Sequence, residues 1–123
     1  PYQRPPLSKS YLLGDLALDR LYLRPESYYR DNAIDLRLDT RVDAIDRGDK
    51  VVIAGGRSLP YDALVLTTGA VPRRIAPDQG GNLKCVHVIR NLRDVDRLAP
   101  EVQADRRALI VGGGYIGLEA AAV

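Results

Sequence analysis

The chain has 123 residues, 46% hydrophobic and 28% charged, a globular composition of about one domain's length. Its 18 basic and 16 acidic residues are spread along the chain and leave a formal charge of +2, which gives no case for nucleic acid; the apolar runs are too short to cross a bilayer. A single cysteine, Cys85, leaves no intrachain disulfide and fits a reducing cytoplasm.

Pro1, Pro5 and Pro6 predict an extended loop over residues 1–7. Ser8 is placed to cap a short turn that Gly14 ends. A second short helix is expected in "RPESYYRDN", with Pro25 at its start and Glu26 near its positive end. "IDLRL" alternates apolar and polar residues and reads as a strand. "RVDAIDRGDKVVIAGG" predicts a hairpin around Gly48, and an edge piece broken by Pro60 follows. The unalternating run within Ala63–Thr67 reads as a strand covered on both faces. Proline and glycine mark "VPRRIAPDQGGN" as a linker or crossover. Beyond it come a short strand, "VHVIR", a helix capped by Asn91 and ended or bent by Pro100, and a last strand, "RRALIV". The chain opens on Pro1 and closes inside an uncapped helix pattern, so an internal segment of a longer protein is expected.

The last strand runs into Gly112-x-Gly114-x-x-Gly117 and a helix. Each glycine has a task in a dinucleotide-binding turn. Gly112 lets the backbone leave the strand sharply. Gly114 lets phosphates approach the main chain. Gly117 lets the helix pack closely. The helix N-terminus supplies free N–H groups and partial positive charge for a pyrophosphate. The acidic residue that would select NAD or NADP is expected about 20 positions on, beyond Val123.

Four segments in order, "RPPLSKSYL", "YDALVLTTGAVPRR", "VIRNLRDVDRL" and "ALIVGGGYIGLEAAAV", resemble the flavin-dependent ferredoxin and rubredoxin reductases of oxygenase systems. The resemblance covers nearly the whole chain. It implies an α/β fold: part of two adjacent Rossmann-like, doubly wound domains, one for FAD and one for NAD(P), with a β-hairpin or meander in the FAD part. Residues 1–70 would belong to the FAD-binding domain, and residues 71–123 to the crossover and the start of the NAD(P)-binding domain. The implied cofactors are FAD and NAD(P)H, with NADH favoured. The implied activity passes hydride from nicotinamide to flavin and then single electrons to a ferredoxin or rubredoxin. Some proteins with similar motifs are largely non-enzymatic, of the apoptosis-inducing-factor type. Others are nitrite reductase subunits or monodehydroascorbate reductases.

The resemblance also implies roles for residues. Lys9 would lie beside the flavin ring, with Arg4 and Pro5 in the loop before it. Glu119 would face the flavin–nicotinamide junction and pair with Lys9 across the two domains, partly buried. Arg90 would contact FAD. The backbone of Val42 would lie near the adenine, its side chain ordinary core. Thr68 and Gly69 form a "TTG" turn close to the cofactor. The backbone N–H groups of Tyr115 and Ile116 would face the NADH pyrophosphate, with the Tyr115 ring over the flavin face. Cys85 lacks a partner cysteine, and His87 lacks a surrounding ligand cluster, so neither a redox disulfide nor a metal site is expected. The seven tyrosines read as packing residues with a polar tip. Arg73 and Arg74 read as a solvated turn.

Overall fold

The computed structural model describes residues 1–123. In chain order it forms helix α1 (Glu26–Asp31), strands β1 (Val42–Asp46), β2 (Val51–Ala54) and β3 (Arg57–Pro60), and helices α2 (Leu92–Leu98) and α3 (Tyr115–Ala122). Turns of 3-10 helix lie at Pro5–Ser8, Leu18–Leu21, Pro77–Gln79 and Ala99–Glu101. Contacts divide the chain into two compact units, Pro1–Pro25 with Ala70–Val123, and Glu26–Gly69.

The first unit is built around Leu7, Leu12, Leu21 and Val95, all buried, with Tyr2, Tyr11, Ile89 and Leu92 packed against them. Pro5 and Pro6 open a helical turn instead of continuing an extended loop. Proline's fixed φ suits that position, where its missing N–H would have had no partner. The turn carries Leu7 into the core. Gly14 closes the next turn at φ +82°, which a glycine adopts without strain. Gln3 N–H donates to the Leu21 carbonyl at 2.8 Å, and Leu23 N–H to that of Pro1 at 3.2 Å, which ties down the first residues.

Two tyrosines fasten this segment to α2. The Tyr2 hydroxyl accepts from Leu92 N–H at 3.1 Å. The Tyr11 hydroxyl donates to Asp96 at 2.8 Å, and that hydrogen bond holds the Tyr11 pKa above its ordinary value. Helix α2 begins as expected: the Asn91 side chain accepts from Asp94 N–H at 3.1 Å, and Asp94 accepts from Asn91 N–H at 3.0 Å. This reciprocal box satisfies donors that the helix itself leaves free. Val95, fully buried one position on, contributes about 1.5–3 kcal/mol of apolar burial. The helix ends at Leu98 and tightens into the 3-10 turn that contains Pro100.

The second unit holds α1 and an antiparallel meander in the order β1-β2-β3. The Gly48 turn is fixed by Asp46, whose carboxylate accepts from Gly48 N–H at 2.8 Å and Asp49 N–H at 3.0 Å. Gly55 and Gly56, both with positive φ, turn β2 into β3. The register slips between Val42 and Ala44. Val42, expected in the core, is instead 52% exposed, because all five residues of β1 are exposed and neither face of the strand is covered.

Four further expected strands form no ladder: "IDLRL", Ala63–Thr67, "VHVIR" and "RRALIV". None of the four pairs with another segment. A hairpin brings its own partner two residues away, whereas a parallel strand depends on a crossover to another strand. Val65, expected in a strand covered on both faces, is 79% exposed, and Leu109, expected in the last strand, is 90% exposed. No helix is long and apolar enough to cross a membrane.

Candidate functional site

The N-terminal 3-10 turn, the residues before α2 and the start of α3 converge on one cavity of about 260 Å³ in the first unit. Arg4, Pro5, Leu7, Ser8 and Lys9 line one part of it. Ile89, Arg90, Tyr115, Ile116 and Glu119 line the rest.

The expected Lys9–Glu119 contact is present, with Nζ 2.9 Å from Oε1. The second oxygen of Glu119 is held as well: the Ser8 hydroxyl donates to Oε2 at 2.6 Å. The Ser8 bond, and after it Lys9, keeps the Glu119 carboxyl below the usual carboxylate range. The side chains of Lys9 and Glu119 are 52% and 30% exposed, so the pair is wetter than expected. It therefore belongs with exposed ion pairs, whose net contribution to stability is small. The pair places two opposite charges in the cavity. Both partners lie in the same compact unit.

Ser8 does not cap a helix. It is 4% exposed at the end of the 3-10 turn, with its hydroxyl turned to Glu119. The sequence reading missed this contact, and Leu7 and Ile89 as further lining residues. The Ser8 partner lies 111 positions away, and no local spacing announces it.

Arg90 is oriented from two sides. Its backbone N–H donates to Asp94 at 3.2 Å, and its guanidinium Nε–H donates to the Ala70 carbonyl at 3.0 Å. The terminal nitrogens keep their donors for an anion or a carbonyl in the cavity.

The three glycines of the turn differ in backbone and surroundings. Gly112 takes φ +119°, open to glycine. Gly114 caps α3 in an extended conformation, and a Cβ added there would meet nothing within 4 Å. A Cβ at Gly117 would run into the Gly112 carbonyl oxygen and sit 3.3 Å from Ile110. The turn thus leaves open backbone where phosphates would approach and is closed where α3 packs. That cradle fits a pyrophosphate. The lysine, arginine and carboxylate of the adjoining cavity fit the polar edge of a flavin. Tyr115 lines the cavity but is 88% exposed.

Val42, Thr68 and Gly69 belong to the second unit, and the cavity is lined wholly from the first. Gly69 takes φ +72°, so a sharp turn does follow the Ala63–Thr67 segment. Cys85 is a free, exposed thiol. His87 Nε2 is enclosed without a hydrogen-bond partner, 3.9 Å from Glu101.

The sequence profile described as "pyridine nucleotide-disulphide oxidoreductase" matches residues 1–123, and the chain belongs to that family. Membership implies FAD and a pyridine nucleotide as cofactors. The chain is 43% identical, over its whole length, to a ferredoxin–NAD(P)+ reductase of a Sphingomonas species. It is 41% identical over 98% of its length to a rubredoxin–NAD+ reductase of Pseudomonas putida. Among solved structures it is similar to the reductase of a covalent putidaredoxin reductase–putidaredoxin complex, at TM-score 0.90 and 42% identity over 99% of the chain. The α/β dinucleotide-binding fold is shared, including the meander. The chain spans 30% of the Sphingomonas relative, 31% of the Pseudomonas one and 30% of the solved reductase.

Proposed function

We propose that this chain is part of a flavoprotein oxidoreductase that takes hydride from NADH onto FAD and delivers single electrons to a ferredoxin or rubredoxin, in the service of an oxygenase. Residues 1–70 are assigned to its FAD-binding domain and residues 71–123 to the crossover and the start of its NAD(P)-binding domain. The observation that carries the reading is the meeting of Lys9, Glu119 and Arg90 in one cavity that Tyr115 and Ile116, at the start of the glycine-turn helix, also line.

Flavin supplies the chemistry: it accepts a two-electron hydride and releases electrons one at a time. The chain supplies binding and charge. Lys9 has three N–H donors, one of which is engaged by Glu119. The others can meet a ring carbonyl and favour negative charge developing there. Glu119 offsets part of that positive charge and fixes its position. Arg4, Pro5 and Arg90 would hold the flavin side, all three lining the cavity of the first unit. Gly112, Gly114 and Gly117, with the N–H groups of Tyr115 and Ile116, hold the nicotinamide nucleotide's pyrophosphate. The Tyr115 ring, which lines the cavity and is exposed, would cover the flavin face until nicotinamide arrives. NADH is assigned over NADPH on likeness to NAD+-linked relatives. A free, exposed Cys85 suits a cytoplasmic setting.

The test is NADH oxidation by the full-length protein with an artificial electron acceptor. The reading predicts turnover, reduced at least about tenfold by Lys9→Ala. Absence of turnover in a flavin-loaded preparation would favour a nucleotide-binding module without an enzymatic role.

A further inference from the structure

Glu119 is gripped at both oxygens, and the two grips differ in kind. Lys9 reaches Oε1 with a long flexible stem whose side chain is 52% exposed. Such an ammonium is mobile and well hydrated. Ser8 reaches Oε2 from a residue only 4% exposed, through a side chain with a single rotatable bond to its oxygen. Its backbone is fixed on both sides. Leu7, next to it, is 2% exposed in the core, and Leu7 N–H donates to the Arg4 carbonyl at 3.0 Å. On the other side Lys9 N–H and Tyr11 N–H both donate to the Pro6 carbonyl at 3.0 Å. The Ser8 contact is also the shorter of the two, 2.6 Å against 2.9 Å, in the range of strong O–H···O⁻ hydrogen bonds.

These differences point to a division of labour. We propose that Ser8 is a positioning residue: it anchors the Glu119 carboxylate at Oε2, so that Oε1 presents a fixed anion and thereby sets where the Lys9 ammonium stands in the cavity. The proposal rests on the reading of this cavity as the flavin–nicotinamide junction. Ser8 also lines the cavity, but its hydroxyl is given to Glu119 and it acts through that carboxylate. Without its hydroxyl the carboxylate turns about its last bond, Lys9 follows it or returns to solvent, and Glu119 takes up a proton at a higher pH.

The experiment is anaerobic stopped-flow reduction of the full-length, flavin-loaded protein by NADH, as a function of NADH concentration and pH, for wild type, Ser8→Ala and Glu119→Gln. Ser8→Ala is expected to keep its full flavin content and its affinity for NADH. Its limiting rate falls about three- to tenfold, and the acid limb of that rate moves to higher pH. A purely structural serine would change flavin content or thermal stability and leave the limb in place. Glu119→Gln should abolish the limb. A Ser8→Ala protein with the wild-type rate and limb, beside an impaired Glu119→Gln, overturns the role of Ser8 and leaves the functional reading standing. A Glu119→Gln protein indistinguishable from wild type overturns the functional reading and the Ser8 role with it. Should Ser8→Ala take up no flavin, Ser8→Cys fills the same space with a poor donor and is read against the same outcomes.

Discussion

Lys9 and Glu119 illustrate how charge can be placed without adding much stability. The pair is partly wet, and the hydrogen bond from Ser8 together with Lys9 keeps its carboxyl below the usual carboxylate range. Because the folded-state pKa of Glu119 is lowered, the linked stability is complete above the ordinary glutamate range, near pH 4.3, and is lost as pH falls through the lowered value. Thermal unfolding of full-length wild type and Glu119→Gln should therefore differ by a constant amount above about pH 5 and converge in more acid solution. A difference that persists unchanged in acid would show that Glu119 acts through packing instead. At this scale the sequence was informative where resemblance supplied the partner. The Lys9–Glu119 pair was legible because both residues lie in family motifs. Ser8 was misread as a cap, since a serine before a short turn is a common local signal and its actual partner is on α3. Val42 was misread as core because an apolar residue in a strand says nothing of whether that face is covered.

Among the elements, those that complete themselves locally were the most legible. The Asn91–Asp94 box needs only residues three apart, and the Gly48 hairpin only adjacent strands. The four segments expected as further strands carry the correct apolar pattern but no partner within the chain, and pattern alone makes no hydrogen bonds. The glycine turn at α3 makes a sharper prediction. Gly114 has room for a Cβ and an ordinary extended backbone, so Gly114→Ala should fold normally while filling the space a phosphate needs. Gly117→Ala forces a Cβ against the Gly112 carbonyl and should disturb the turn itself. In the full-length protein, Gly114→Ala should weaken NADH binding at least about tenfold with little change in melting temperature. Gly117→Ala should lower both. Equal loss of stability in the two variants would contradict this division of roles.

The molecule as a whole leaves unusually large apolar side chains in water. Val71, Leu109 and Val111 are 88%, 90% and 73% exposed, and the chain corresponds to 30% of its Sphingomonas relative. Faces of this kind are normally covered. Residues 1–123 expressed alone should accordingly bind FAD weakly or not at all and tend to associate; a tight one-to-one flavin complex of this segment, by calorimetry, would contradict that expectation. The family could be read from the motifs together because their order along the chain is more specific than any one of them, whereas the exposure of these apolar residues depends on tertiary neighbours that an apolar pattern does not specify.

The most direct measurement is the absorption spectrum of the purified full-length protein before and after anaerobic addition of NADH. The account predicts flavin bands that bleach rapidly. A protein with no flavin bands, or with bands that NADH leaves unchanged, would contradict it.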